Sequence, residues 1–265
     1  MTERTGTGAG AAAVAAVSQR KSVLLDTCVL ARLSLYCQAC LAAKLELGCT
    51  IDRLHRSMHD LQLCSRPGDL LDSQYIREGQ RTWSSIAAAS DLHYSYSLLS
   101  QLETQVLLED KAIDAKLFGK VPFRLWRNKP LRMQTEIDYD TEVLGNWTYL
   151  VEALESVADV DCIERANEVK PSEIADVSNI LSRHLILDPI DLYLYSCAVF
   201  AMVDEVWTHD EDFRIVVGNL RSNGRYRNQR QAILGDLSMF NAKFAAGDFK
   251  LPCVIQPSRG AASTR

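Results

Sequence analysis

Four acidic residues occupy positions where, in an α/β protein, strands end or helices begin. They are Asp26, Glu103, Asp191 and Asp210. The carboxyl ends of parallel strands and the amino ends of helices share one edge of such a sheet, so we expect these side chains to meet there. Carboxylates gathered in one crevice raise one another's pKa unless a cation neutralises them. Because hard oxygen ligands suit Mg²⁺ or Mn²⁺, the pattern predicts a site for a divalent metal ion.

Three of these acids also have a purely structural interpretation. Ser100 and Glu103 have the spacing of a capping box, in which the acid completes the start of a helix. Asp191 stands where a negative charge favours the helix dipole, and Asp210 has the character of a turn residue. Asp26 is harder to interpret in this way, because a charge that ends a buried strand needs a partner or a cation.

Short β-rich runs alternate with helical patterns along the chain, which is typical of an α/β fold around a parallel sheet. The predicted strands cover residues 22–25, 93–98, 206–208 and 249–255. Helical patterns cover about residues 30–63, residues from 100 onward, and about 142–183. Asp188 as N-cap and Pro189 as first helical residue predict one more helix. That helix is apolar nearly all round and is therefore expected to be buried.

Length and composition predict one large domain over residues 21–256, with flexible tails at 1–20 and 257–265. The formal net charge is -5, which argues against a globally basic nucleic-acid binder, and no apolar run is long enough to span a membrane. Eight cysteines in a chain of this length without a signal peptide favour reduced thiols and a cytoplasmic location. Cys37 and Cys40 lack the second close pair of a zinc site, so buried thiols are the favoured interpretation.

Four segments of the chain resemble, in the right order, the motifs of PIN-domain nucleases. The segments are LDTCVL at 25–30, LLSQLE at 98–103, LDPID at 187–191 with Ala198 further on, and VWTHDEDF at 206–213. The first is similar to the opening strand and first aspartate of the family, and the second to its strand, turn and glutamate-bearing helix. The third is similar to an aspartate seven residues before a small residue on a buried helix. The last matches a closing Thr-x-Asp-x-Asp-Phe pattern most closely.

The resemblance implies a PIN-like three-layer fold, with a mostly parallel sheet between helices, and a divalent-metal-dependent endoribonuclease. Such an enzyme hydrolyses RNA to 5′-phosphate and 3′-hydroxyl ends with Mg²⁺ (or Mn²⁺). The implied metal ligands are Asp26, Glu103, Asp191, Asp210 and Asp212, of which the first four are also the implied catalytic residues. Thr27 and Thr208 are implied as outer partners of these ligands.

This chain departs from the family pattern in two ways. Compact members, including the toxin ribonucleases of bacterial toxin–antitoxin pairs, are much shorter, so the resemblance implies helical insertions at about residues 35–90 and 111–183. Cys28 stands where a small polar residue, often asparagine, is common in the family. That substitution puts one hydrogen bond beside the metal ligands in question.

Two basic runs are predicted to contact RNA, although the net charge of the chain is negative. The first, residues 111–132, interleaves basic side chains with aromatic ones, which offer stacking faces to unpaired bases. The second begins just after Asp212. The predicted nucleic-acid contacts are Lys120, Arg124, Arg127, Lys129, Arg221, Arg225 and Arg227. A basic run is also commonly a solvated face or a partner surface, and that alternative stays open.

The leading hypothesis is an endoribonuclease, either a toxin held by an antitoxin or an enzyme of RNA processing or defence. Its expected partners are RNA, an antitoxin or other protein, and a second copy of the chain, with no membrane. The alternative is a catalytically silent PIN-like scaffold that binds nucleic acid or a protein. A phosphatase with an aspartyl nucleophile is disfavoured, because Cys28 stands where its second aspartate belongs. DNA as the substrate stays open.

Overall fold

The computed structural model describes residues 20–61, 73–117, 120–122, 125, 127–221, 226–245 and 249–257. In this part the chain forms a five-stranded sheet with all neighbours parallel, in the order β3-β2-β1-β4-β5. The strands are β1 (Lys21–Leu25), β2 (Leu92–Tyr96), β3 (Asp159–Cys162), β4 (Glu205–Trp207) and β5 (Cys253–Ile255). The predicted α/β class and parallel sheet are confirmed. The predicted tails lie outside the described residues, except for residues 20 and 257.

Eleven α-helices connect and cover these strands in the described part of the chain. They are α1 (Thr27–Ala42), α2 (Ile51–Asp60), α3 (Ser73–Ala88), α4 (Leu98–Leu117), α5 (Lys129–Met133), α6 (Gly145–Glu155), α7 (Ile163–Ala166), α8 (Pro171–Leu181), α9 (Pro189–Phe200), α10 (Glu211–Gly218) and α11 (Arg227–Phe240). A π-helical turn, Asp140–Leu144, leads into α6, and short 3-10 turns cover Asn219–Arg221 and Ala242–Ala245. None of the described helices combines the length and the apolar character that crossing a membrane requires.

Helices pack on both faces of the sheet, which makes three layers. Successive side chains of a strand point to opposite faces. Val23 and Leu25 of β1 accordingly join a core with α1, α2, α3 and α6, whereas Leu24 joins a second core with α8, α9, α10 and α11. All three side chains are completely buried, and each stabilises the fold by about 2 kcal/mol. Packing on both faces of the sheet thereby fixes the central strand β1, and with it the position of Asp26, the residue that follows it.

The helix predicted at Asp188 and Pro189 is confirmed. The Asp188 carboxylate accepts hydrogen bonds from the backbone N–H groups of Ile190 and Asp191, at 2.8 and 3.0 Å. These bonds satisfy amide groups that have no partner inside the helix. From Leu194 to Phe200 every residue of α9 is buried, as the apolar pattern predicts.

Several predicted elements differ from the structure. The stretch 142–183, predicted as mostly helical, contains the edge strand β3, which pairs with β2 in register from Asp159 to Cys162. The stretch 30–63 forms two helices separated by residues 43–50, and residues 62–63 lie outside the described part. Strand β5 begins only at Cys253, since Pro252 before it has no N–H to donate to a ladder. The insertions at about 35–90 and 111–183, which hold α2, α3 and α5 to α8, stay a prediction.

Candidate functional site

Asp26 lies directly after the central strand, with a side chain only 6% exposed. It caps α1, because one carboxylate oxygen, Oδ1, accepts the backbone N–H of Thr27 at 2.6 Å. The other oxygen, Oδ2, accepts from the hydroxyl of Thr208 at 2.6 Å and from the thiol of Cys28 at 2.8 Å. The acid is therefore fixed in orientation by three donors, none of which carries a positive charge.

Thr208 connects Asp26 to the acidic segment that follows β4. Its side chain is completely buried, and its hydroxyl both donates to Asp26 and accepts the backbone N–H of Asp210 at 2.9 Å. Asp210 in turn caps α10, where its Oδ1 accepts the backbone N–H of Phe213 at 2.9 Å. Asp210 and Asp212 are exposed and line an open cleft of about 480 Å³.

Replacing Thr208 with valine is expected to destabilise the protein by about 2 kcal/mol, as for the loss of a buried hydrogen bond to a carboxylate. Valine has nearly the shape of threonine but cannot donate to Asp26 or accept from Asp210. Chemical unfolding at pH 8 measures the change. Thr208→Ser keeps the hydroxyl and serves as the control, which should lose clearly less. Equal stabilities of the valine variant and the wild type would contradict this description of the hydroxyl.

Glu103 reaches the same edge of the sheet through Thr27. The Thr27 hydroxyl donates to Glu103 Oε2 at 2.5 Å. The predicted capping box of Ser100 and Glu103 is wrong, because α4 begins at Leu98 and its cap is Ser97, whose hydroxyl accepts the backbone N–H of Ser100 at 2.9 Å. The carboxylate of Glu103 is therefore not engaged in capping and turns toward α1.

Asp191, in the first turn of α9, is electrostatically coupled to the acids after β1 and β4. Burial raises its pKa to about 7, and the negative charges of Asp188, Asp26 and Asp210 act in the same direction. Burial also raises the pKa of Asp26, with a further contribution from the charge of Asp210, although the three hydrogen bonds to Asp26 oppose this shift. The side chains of Asp26, Asp191 and Asp210 thus share one field of negative charge.

No basic side chain forms an ion pair with these acids within the described part of the chain; Arg32 lines the cleft of Asp210 and Asp212 but pairs with Glu78. The ion pairs found there involve other acids, and none includes Asp26, Glu103, Asp191, Asp210 or Asp212. Among the described residues, no three His, Cys, Asp or Glu side chains stand close enough together to hold one metal ion. That finding covers the acidic edge as well as Cys37 and Cys40, which are both buried. Asp26, Asp191 and Asp210 are near enough to interact electrostatically, but as they stand the acids do not form a closed set of ligands.

Cys28 stands where PIN-domain nucleases commonly have a small polar residue, and it still makes a hydrogen bond to a proposed metal ligand. Its thiol donates to Asp26 and its sulfur accepts the backbone N–H of His209 at 3.0 Å. Burial, together with the charge of Asp26, raises the pKa of Cys28 to about 12, so the group stays a thiol at neutral pH. His209 stays uncharged there too, since burial and the nearby Arg32 lower its pKa to about 4.

One buried acid, Glu164, was not predicted from the sequence. It follows β3, a strand that was also missed, and its Oε2 accepts the backbone N–H of Leu98 at 2.9 Å. Glu164 thereby holds the start of α4, the helix that carries Glu103. The signal for β3 was present as the alternation of Asp159 and Asp161 with apolar neighbours, which has the period of a strand.

Some residues of the two predicted basic runs form ion pairs within the fold, some are exposed, and some lie outside the described residues. Lys116 pairs with Glu142, and Arg132 pairs with Asp110 and Asp114, so these two cations of the first run are engaged within the fold. The predicted contacts Lys120, Arg127, Lys129 and Arg227 are exposed. Arg124 and Arg225, and the side chain of Arg221, lie outside the described residues. Contact of any of them with nucleic acid stays a prediction.

The fold and the site together define a class: a three-layer α/β protein with a parallel sheet whose carboxyl edge carries unneutralised carboxylates. Comparison with known protein families, with curated proteins and with solved structures finds no match to this chain.

Proposed function

We propose that the chain is a divalent-metal-dependent endoribonuclease with a PIN-like fold, which hydrolyses RNA to 5′-phosphate and 3′-hydroxyl ends. The observation that carries the proposal is the placement of Asp191 near Asp26 and Asp210: burial raises the pKa of Asp191 to about 7, and the charges of Asp188, Asp26 and Asp210 act in the same direction. A protein keeps mutually repelling acids near one another at a cost to its stability, and perturbed acids of this kind concentrate at functional sites.

The chemistry of these residues fits Mg²⁺ or Mn²⁺, which prefer oxygen ligands. Within the described residues, neither Oε1 of Glu103 nor Oδ2 of Asp210 accepts a hydrogen bond, so each has an oxygen to offer. Asp26, Glu103, Asp191 and Asp210 would hold the ion, with Asp212 at the rim of the cleft. Because no three donors are close enough as they stand, binding requires some of these side chains to turn.

When bound, the ion supplies a Lewis acid for the phosphate and for the attacking water. The chain's own part is to hold the acids in place. Thr208 and Cys28 fix Asp26, and Thr27 fixes Glu103. The raised pKa of Asp191, about 7, applies without a metal ion, and a bound cation would favour the ionised carboxylate. His209 stays neutral and is engaged, weakly, with Thr82 at 3.5 Å.

A catalytically silent scaffold is the second candidate, and one observation favours it. The described residues offer no preformed set of three metal donors, as expected of a fold that binds without cutting. Against it, every acid that the PIN resemblance requires is present, and the charges of Asp26 and Asp210 contribute to the raised pKa of Asp191. The two candidates differ in whether added metal produces cleavage.

Cleavage of a labelled single-stranded RNA tests the proposal. The purified protein is incubated with Mg²⁺, with Mn²⁺ or with a chelator, and the ends of the fragments are identified. We expect cuts with either metal, none with chelator, and 5′-phosphate ends. Asp210→Asn protein purified in parallel controls for a contaminating nuclease. Absence of metal-dependent cutting would leave the scaffold, and cutting of a matching DNA strand alone would replace RNA as the substrate.

We further propose a cytoplasmic protein, in keeping with cysteines that are all unpaired among the described residues. An antitoxin, another protein or a second copy of the chain stays a proposed partner. The sequence resemblance is what supports these partners.

A further inference from the structure

An apolar cavity opens directly beside the acidic cleft. It has a volume of about 270 Å³ and lies between α1, α3 and α4. Cys28 and Arg32 line both this cavity and the acidic cleft, so the two spaces adjoin. The Cys28 thiol donates to Asp26, so a group bound against Cys28 lies close to that carboxylate.

The walls of the cavity suit a flat, mostly apolar group. Ala31 and Leu35 of α1 face Leu107 and Leu108 of α4, and Tyr75 of α3 adds an aromatic ring that is 45% exposed. Pockets for drug-sized ligands usually have about 300–1,000 Å³, so this cavity is of a size for one small ring system. Unpaired bases of RNA are characteristically bound by stacking on aromatic rings and on the planes of arginine side chains.

Arg32 is held as a fixed plane at the mouth of the cavity. Its guanidinium lies 5.1 Å from the centre of the Tyr75 ring, its Nε is 2.6 Å from Oε2 of Glu78, and its Nη1 donates to the carbonyl of Cys28 at 3.2 Å. Helix α3 packs so tightly here that a Cβ added at Gly79 would lie 2.1 Å from the carbonyl oxygen of Arg32. The close packing of α3 on α1 therefore fixes the positions of Tyr75 and Glu78 relative to Arg32.

We propose that this cavity binds one unpaired nucleobase of the substrate strand, adjacent to the phosphate that is cut. The inference rests on the proposed function for the identity of the strand. Arg32, which the cavity shares with the acidic cleft, adds a guanidinium plane to the lining, and such planes suit a nucleobase. A base bound there lies beside Cys28, so its pocket selects where along an unpaired strand the acids act.

Binding measured without metal tests this proposal separately from catalysis. The probe is a fluorescent single-stranded RNA of eight nucleotides, used in chelator at low salt, together with versions that lack the base at each position in turn. Stacking of one base on an aromatic side chain supports an effect of about tenfold. We expect one missing base to weaken binding by about that factor, and the other positions to matter little.

Two variants block or strip the cavity, and each has a matched control. Leu107→Trp fills the cavity from an exposed wall, whereas Val106→Trp places the same ring on the neighbouring position of α4, which does not line it. Tyr75→Leu removes the ring, and Tyr139→Leu removes an equally exposed tyrosine elsewhere. We expect both cavity variants to weaken RNA binding about tenfold and to abolish the effect of the missing base. Both controls should bind like the wild type.

The possible results distinguish a failure of the proposed base pocket from a failure of the proposed nuclease activity. Metal-dependent cutting by the wild type, together with no effect of any missing base, overturns the base pocket and leaves the nuclease. An effect of one missing base without any cutting supports the pocket and removes the nuclease. Equal binding by Leu107→Trp and Val106→Trp, or failure of the RNA to bind at all, overturns the pocket.

Discussion

Replacing Asp26 with asparagine is expected to lower metal-dependent RNA cleavage by at least about a hundredfold. Loss of an outer partner of a metal ligand costs about 10–100-fold, and Asp26 is proposed as a ligand itself. Asparagine removes a charge that burial and Asp210 disfavour, but it offers one acceptor oxygen to the three donors that Asp26 satisfies with two, so we expect a folded variant of lowered stability. Initial rates with Mn²⁺ and a thermal unfolding curve measure the two effects together.

Asp60→Asn serves as the control for this replacement. Asp60 ends α2, its side chain is 79% exposed, and it takes no part in the acidic edge. Its variant should cleave RNA at the rate of the wild type. A rate for Asp26→Asn within a few-fold of the wild type, with an intact fold, would remove Asp26 from the catalytic residues and with it the proposed site.

The metal-free protein is expected to lose stability as the pH rises from about 4 to about 7. The pKa of Asp191 in the folded state, about 7, is above its ordinary value of 3.8, so the folded protein binds more protons than the unfolded chain in this range. The contribution is therefore present below the unfolded pKa and is lost as the pH rises through 7. At a half-buried side chain we expect about 1–2 kcal/mol after allowance for screening by water.

Asp191→Asn isolates this effect from other titrating groups. Its stability should vary less with pH and should exceed that of the wild type at pH 8 in chelator. Added Mn²⁺ should raise the unfolding temperature of the wild type, but of this variant much less. Asp176→Asn, at an exposed position on α8, should keep the wild-type pH dependence and response to Mn²⁺. A variant that is less stable than the wild type at pH 8 would show that Asp191 is not strained by its neighbours.

The sequence predicts the centre of the fold well, because the signals there are local. An apolar run that ends in Asp26 predicts β1, and the Asp188–Pro189 pair predicts the start of α9 from capping chemistry alone. Both elements lie in the middle of the molecule and carry proposed site residues. The topology of a parallel sheet also predicts that the acids meet at one edge; Asp26, Asp191 and Asp210 interact there electrostatically, and a shared metal site stays a prediction.

Other features depend on contacts between distant segments and could not be predicted from local patterns. Four-residue β3 has its hydrogen bonds supplied by β2, more than sixty positions away in the chain. The hydroxyl of Ser97 competes with that of Ser100 for the cap of α4, and only the end of β2 decides between them. Likewise, the ion pair of Lys116 with Glu142 removes part of a basic run that the sequence alone presents as free.

Anomalous scattering from Mn²⁺ tests the central claim most directly. Crystals grown with Mn²⁺ at pH 8, above the raised pKa of Asp191, should give a peak within coordination distance of Asp26, Asp191 or Asp210, with the carboxylates turned toward it. Asp26→Asn crystals should lack it. A contradictory result would be no peak at this edge, or a peak only at the opposite end of the sheet, where His93 lies between Asp159 and Asp161.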